Sequence, residues 1–234
     1  MIKRGLIMNG KYLKINMGGS NAYLIQGEEG YLLIDAGIEG KIDKLKNKMD
    51  EYDIKFEDII LIIITHVHYD HVGGLREIKE KTKAPVLVHE DEAARLKEGK
   101  TKLPNGNTWY GKLGVYFLRT KAEKGNSFEP VKPDIVINEY YNLKGFGFEG
   151  EVIHTPGHSA GSITVIIEDR HCFTGDTMFS FIPFTVNPPF ADNPDKLYKS
   201  WEKIASYNCQ IFHPGHGYDF HRNKFLNTFH RKRK

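Results

Sequence analysis

Short apolar runs alternate with amphipathic stretches along the whole chain. Residues 22–26 and 31–35 flank Gly27-Glu28-Glu29-Gly30, which predicts a two-stranded hairpin closed by a glycine-containing turn. Residues 41–52 place Ile42, Leu45 and Met49 at helical spacing and read as a surface helix. Residues 59–64 are apolar at every position, as expected of a strand covered on both faces. A helix over 75–83, a strand over 86–89 and a helix over 91–97 follow. Residues 99–133 are polar, rich in Gly and Pro, and aperiodic apart from Val115-Tyr116-Phe117-Leu118, so they read as an insertion or flap. The second half continues with strands near 135–137, 151–154, 162–168 and 171–174. A helix over 195–207, a strand over 210–213 and a helix near 223–230 complete it.

Each half is therefore a β-rich run followed by helices, which predicts two sheets packed face to face with helices outside. No repeat, low-complexity segment or linker divides the 234 residues, so one domain over 1–234 is expected. At 40% hydrophobic and 27% charged, the composition is that of an ordinary globular protein and excludes disordered, collagen-like and disulfide-scaffold classes. No apolar run approaches the roughly 20 residues of a membrane span, and the first residues lack a signal-peptide pattern. The net charge is +3, and the cluster Arg231-Lys232-Arg233-Lys234 accounts for it, reading as a solvated terminus. A near-neutral body offers no broad field for nucleic acid. Cys172 and Cys209 show no CxxC spacing and point to a reducing compartment. Together these features predict a cytoplasmic protein with a small-molecule substrate and neither nucleic acid nor membrane as partner.

The chemistry lies in the placement of eleven histidines. Thr65-His66-Val67-His68-Tyr69-Asp70-His71 comes directly after the most apolar strand. In an extended segment residues two apart share a side, so His66, His68 and Asp70 are expected to converge, with His71 on the adjacent side. Four ligand-type residues within six positions suit two neighbouring metal ions. Imidazole nitrogen with carboxylate oxygen favours zinc first, then iron or manganese. His154-Thr155-Pro156-Gly157-His158, Thr174-Gly175-Asp176 and His213-Pro214-Gly215-His216-Gly217 each follow a predicted strand and supply further donors.

In these residues the chain resembles the metallo-β-lactamase-fold superfamily, on the glyoxalase II and lactonase-like side. The family pattern appears in order over residues 22–217: Asp35 in Ile-Asp-Ala-Gly, the HxHxDH run, His158, Asp176 and His216. The resemblance implies an α/β, four-layer αββα sandwich. It also implies that His66, His68 and His158 hold one metal, that Asp70, His71 and His216 hold a second, and that Asp176 bridges both. His154 and His213 then fall to supporting roles, and Asp35 is a candidate to orient a ligating ring. The expected cofactor is two zinc ions per chain, with iron or manganese as alternatives.

Such a site is expected to hydrolyse a small ester, thioester or lactone by attack of a metal-bridging hydroxide, with Asp70 orienting the water. Tyr218, two residues past His216, is a candidate donor to the oxyanion. The glycine- and lysine-containing glutathione contact of glyoxalase II is missing after Asp176, as is that family's long helical C-terminal extension. Instead Phe179, Phe181, Ile182, Phe184, Pro188, Pro189 and Phe190 form an apolar loop, suited to lining an acyl pocket or to a homodimer contact. That loop offers no Arg or Lys for phosphate, which disfavours nuclease members. The alternative reading is a one-iron oxidoreductase similar to the persulfide dioxygenases, using His66, His158 and Asp176.

Overall fold

Two sheets of six strands each organise the computed structural model, which describes residues 12–102, 105–108, 111, 113 and 127–232. The first sheet runs in chain order: β1 (Tyr12–Asn16), β2 (Asn21–Gln26), β3 (Tyr31–Ile34), β4 (Ile59–Ile63), β5 (Val86–His89) and β6 (Ile135–Ile137). Its first three strands are antiparallel and its last four parallel. The second sheet is ordered β12 (Phe220–His221), β11 (Ile211–Gly217), β10 (His171–Ser180), β9 (Ile163–Ile167), β8 (Gly150–His154) and β7 (Tyr140–Asn142). Only β10 and β11 run parallel there. The α-helices that lie wholly within the described residues are α1 (Ile42–Asp50), α2 (Tyr69–Val72), α3 (Leu75–Thr82), α4 (Glu90–Glu98), α5 (Pro194–Ala205) and α6 (Arg222–Lys232).

Three apolar layers separate the four structural ones. Leu61 and Ile63 of β4 face the core between the sheets, with Leu32, Ile34, Val165 and Phe173. Ile59 and Ile62 of the same strand face the opposite core, shared with Leu45 of α1, Ile78 of α3 and Leu96 of α4. This two-sided burial explains the uninterrupted apolar run. The third layer packs Cys172 and Phe212 against Leu197, Trp201 and Ile204 of α5 and Phe225 and Phe229 of α6. The predicted hairpin is present, closing with Gln26 opposite Tyr31, and no helix among the described residues is long and apolar enough to cross a membrane.

Three strands have no counterpart in the sequence reading: β1, β7 and β12. Strand β10 also runs past 174 to Ser180, because Gly175, at φ 48°, shifts the register and lets pairing with β11 resume. Asp176 and His216 are thereby carried on neighbouring strands. The apolar run 115–118 lies outside the described residues, as does most of the segment read as an insertion; two bridges, Lys100 with Ser127 and Gly106 with Phe190, are described at its margins.

α5 fastens this edge. Asn193 caps it by accepting from Lys196 N at 3.0 Å, with Pro194 in its first turn. Its buried Trp201 donates from Nε1 to Thr177 O at 2.9 Å, tying the helix to the backbone beside Asp176.

Candidate metal centre

After β4 the chain stays extended through His68 and then turns into the short helix α2. The helical turn carries Asp70 away from the side shared by His66 and His68. The extended alternation expected from spacing therefore ends one residue early, and Asp70 joins His71 and His216 instead. Two donor groups result: His66, His68, His158 and Asp176, all buried, and Asp70, His71 and His216.

In the first group His68 Nδ1 lies 3.0 Å from both His66 Nε2 and His158 Nε2. Asp176 Oδ2 lies 3.7 Å from His66 Nε2 and 3.4 Å from His158 Nε2. In the second, His216 Nε2 is 3.1 Å from Asp70 Oδ2 and 3.4 Å from His71 Nε2. Asp176 reaches this group too, with Oδ1 at 3.3 Å from His71 Nε2 and Oδ2 at 3.3 Å from His216 Nε2. Donors around a tetrahedral ion with bonds near 2.0–2.1 Å stand about 3.4 Å apart, so these separations fit metal ligation. Asp176 Oδ1 is buried with no hydrogen-bond partner, a cost that a cation would remove.

The rings are oriented from behind. Asp35 Oδ2 lies 2.8 Å from His71 Nδ1, whose N–H it accepts, and Asp35 Oδ1 accepts from Thr65 N at 2.8 Å. The Thr65 hydroxyl donates to Asp35 and accepts from His66 Nδ1 at 3.1 Å. Phe190 O accepts from His158 Nδ1 at 3.0 Å. Each of these bonds puts the proton on Nδ1 and leaves the Nε2 lone pair for a metal. Asp35 holds φ 61°, a left-handed conformation costing on the order of 1 kcal/mol for a residue with a Cβ, to aim its carboxylate there.

Charge in the site is arranged for cations. Burial holds the rings of His66, His68 and His158 below the ordinary imidazole range, His68 at about 3, so all three present neutral lone pairs. Burial opposes ionisation of Asp176 and Asp70, but the facing His216 and His71 rings outweigh it and keep both carboxylates ionised. Burial likewise opposes a proton on His216, yet Asp176 and Asp70 push that ring up to about 10. Positive charge is thus demanded where the carboxylates face each other.

The last ligand strand is gripped across the sheet interface. Asn21 Nδ2 donates to Pro214 O at 3.0 Å and to Gly217 O at 3.1 Å. Tyr23 OH donates to Pro214 O at 2.8 Å, and Lys14 Nζ to Gly217 O at 2.7 Å. Phe179 stacks on the His216 ring at 4.6 Å and 17°. Sequence reasoning missed Lys14, Asn21 and Tyr23 along with the roles of Thr65 and the Phe190 carbonyl, because no local motif marks a contact made across the fold; Phe179, read there as part of the apolar loop, lies in β10 instead.

Other candidates fall elsewhere. Tyr218 follows β11 directly and is 77% exposed. His213 lies between His171, 3.0 Å away, and Asp219, 3.2 Å away. His89, Asp91 and His154 form a third cluster, but the two rings stack at 3.8 Å and 22°. Their lone pairs run side by side instead of converging, so this cluster lacks the geometry of the other two.

Comparison with known proteins places the chain in a family. The model of the Metallo-beta-lactamase superfamily matches residues 15–216. A probable metallo-hydrolase of Methanocaldococcus jannaschii is 33% identical over 214 residues, covering 88% of this chain and 92% of that protein. A hydroxyacylglutathione hydrolase of Pelagibacter ubique is 26% identical over 207 residues, covering 86% and 71%. Among solved structures, a protein in a di-iron-bound form superposes with a TM-score of 0.68 at 25% identity, covering 93% of this chain and 97% of that one. From the donor set, the two-sheet architecture and these matches together, the chain belongs to the metallo-β-lactamase superfamily.

Proposed function

We propose that the protein is a dinuclear, zinc-dependent hydrolase of small esters, thioesters or lactones. The observation that carries this reading is Asp176, whose carboxylate faces His66 and His158 on one side and His71 and His216 on the other. Seven side chains would hold the pair: His66, His68, His158 and Asp176 for one ion, and Asp70, His71 and His216 with Asp176 for the other. Bound there, two divalent cations would supply Lewis acidity to polarise a substrate carbonyl and acidify a water.

The remaining work falls to the chain. Asp70, 33% exposed in its side chain, is the most open donor and accepts the hydrogen bond that orients the attacking water. Its backbone carbonyl is held by the Ser20 hydroxyl. Phe179, packed on His216, keeps water from that side of the ring. Tyr218, two residues past His216 and 77% exposed, is the side chain we assign to donate to the substrate oxygen as negative charge builds there. The one-iron oxidoreductase reading uses only His66, His158 and Asp176, and leaves the convergence of Asp70, His71 and His216 without a purpose.

The test is hydrolysis of an ester, thioester and lactone panel by zinc-loaded wild type and Asp176→Ala. The reading expects turnover of at least one class, with Asp176→Ala losing both bound metal and turnover. Undiminished hydrolysis in that variant would overturn it.

A further inference from the structure

The segment that the sequence reads as an insertion is rooted at the end of α4. Gly99, at φ 65°, caps that helix, and its carbonyl accepts from Phe128 N at 2.9 Å. Phe128 and Val131 are buried in the same core as Leu96 of α4, and Val131 N donates to Leu96 O at 3.0 Å. Beyond this root, the described residues between 101 and 107 make two sets of contacts. Both sets lead to candidate metal ligands.

In the first, Thr101 Oγ1 donates to Val67 O at 2.9 Å. Val67 stands between His66 and His68, so this bond holds the backbone that joins two donors of one group. In the second, residues 105–107 pair antiparallel with 189–191. Ala191 N donates to Asn105 O at 2.9 Å, Asn107 N donates to Pro189 O at 2.8 Å, and Gly106 bridges Phe190. Pro188 and Pro189 have no N–H, so their backbone can only accept. Asn107 supplies the donors, its Nδ2 reaching Pro188 O at 3.3 Å. Asp192 fastens the pairing. Its Oδ1 accepts from Asn105 N at 3.3 Å and from Asn105 Nδ2 at 3.1 Å, and its Oδ2 accepts from Lys102 Nζ at 3.1 Å. The same stretch holds the third imidazole. Phe190 O accepts from His158 Nδ1 at 3.0 Å, Asp192 N donates to His158 O at 3.1 Å, and Asn193 N donates to Gly157 O at 2.9 Å.

Both routes end on His66, His68 and His158, the three imidazoles of one donor group. Among the described residues, no hydrogen bond from 101–107 or 189–193 reaches Asp70, His71 or His216. Those three depend instead on Ser20, Asp35 and the grip of Asn21 on β11. From this division we propose that residues 101–107 form a brace that sets the affinity of one ion of the pair. Asp192 is the positioning residue that fastens it. Asp192 is not itself among the donors; it acts through the Phe190 carbonyl and the His158 backbone. Fastening and ion binding are coupled, so the ion in turn tightens the brace. The inference rests on the metal-ligand assignment of the proposed function and not on the reaction, so zinc alone is the probe.

The test is zinc binding by chelator competition in wild type, Asp192→Ala, Asp192→Asn and Thr101→Val. Loss of a contact that supports a ligating ring costs about tenfold at the lower end. Asp192→Ala should therefore bind one ion about tenfold more weakly and the other as wild type does. Nitrogen NMR of the histidine rings identifies the weakened ion. The His66, His68 and His158 rings should respond late in the titration, and the His71 and His216 rings as in wild type. Asp192→Asn keeps an acceptor for Asn105 and gives up only the ion pair with Lys102, whose side chain is 52% exposed. Such a pair contributes little, so this variant restores the affinity. Thr101→Val weakens the same ion as Asp192→Ala. Equal weakening of both ions, or of neither, overturns the brace. If Asp192→Ala fails to fold, hydrogen exchange in wild type decides. Zinc should slow exchange at the Asn107 amide, which bonds Pro189 O and no metal ligand, and leave the Phe128 amide at the root unchanged. An Asn107 amide indifferent to zinc overturns the coupling. A wild type that binds no zinc overturns the ligand assignment and the brace with it, whereas failure to hydrolyse any substrate touches only the reaction.

Discussion

Gly215 precedes the candidate ligand His216 and lies against Asp176, and replacing it with alanine tests how tightly the centre is packed. A Cβ there would overlap Asp176 Oδ1 and stand 2.8 Å from His71 Cε1. Carbon atoms rest at about 3.5–4.0 Å, so the His71 ring would have to retreat by about 0.7 Å or more, and the carboxylate would have to swing as well. Gly215 is not among the glycines with positive φ, so alanine adds no backbone strain; the effect falls on these two donors and, less severely, on the Gly175 backbone, whose carbonyl carbon would stand 3.2 Å away. Displacements of this size in the supporting geometry of a metal site typically cost about 10–100-fold in affinity. A misplacement near 1 Å costs on the order of 100-fold in rate. Chelator competition on Gly215→Ala should therefore show at least the second ion bound about tenfold or more weakly, with hydrolysis reduced in parallel. A variant with two ions at wild-type affinity and a wild-type rate would refute the packing argument.

Three further outcomes are expected. Asp35→Asn removes the charge that accepts from His71 Nδ1 and Thr65 N. It should weaken metal binding by about 10–100-fold, and unaltered affinity in chelator competition would contradict the orienting role. Tyr23→Phe deletes the hydroxyl donor to Pro214 O. It should cost about 1 kcal/mol in denaturant unfolding; an unshifted midpoint would show that this bond is not held. Burial lowers the His89 ring to about 4, so the folded state resists protonation that the unfolded chain accepts near 6.5. Its contribution is full above pH 6.5 and is lost as pH falls from 6.5 to about 4. His89→Asn can keep the helix cap to Asp91 N, so wild type minus variant should decline across that window in metal-free protein. Parallel curves would remove His89 from the account.

What the sequence made legible were features that are local along the chain. The HxHxDH run packs four donors into six positions, and the apolar run before it identifies a covered strand without any alignment. Asp70 was misplaced by spacing alone, because nothing in Val67-His68-Tyr69 announces that extended backbone turns helical there. The missed strands are short and poorly marked. β7 alternates only exposed and half-exposed residues, and β12 has two residues. β1 has just Leu13 and Ile15 facing inward. The extension of β10 depends on Gly175 absorbing a register shift, which reads in sequence as the end of the strand. The Phe190 carbonyl, the grip of Asn21 and Tyr23 on β11, and the docking of residues 105–107 on the loop after β10 are contacts between distant segments. No periodicity encodes them, and they became visible only when the two sheets were brought together.

The central claim is that seven side chains hold two ions bridged by Asp176. Elemental analysis and native mass spectrometry of protein purified without chelators, with Asp176→Ala alongside, test it most directly. The account predicts close to two zinc ions per wild-type chain and fewer than one in the variant. A single iron per chain with little zinc, or a variant that keeps two ions, would contradict it.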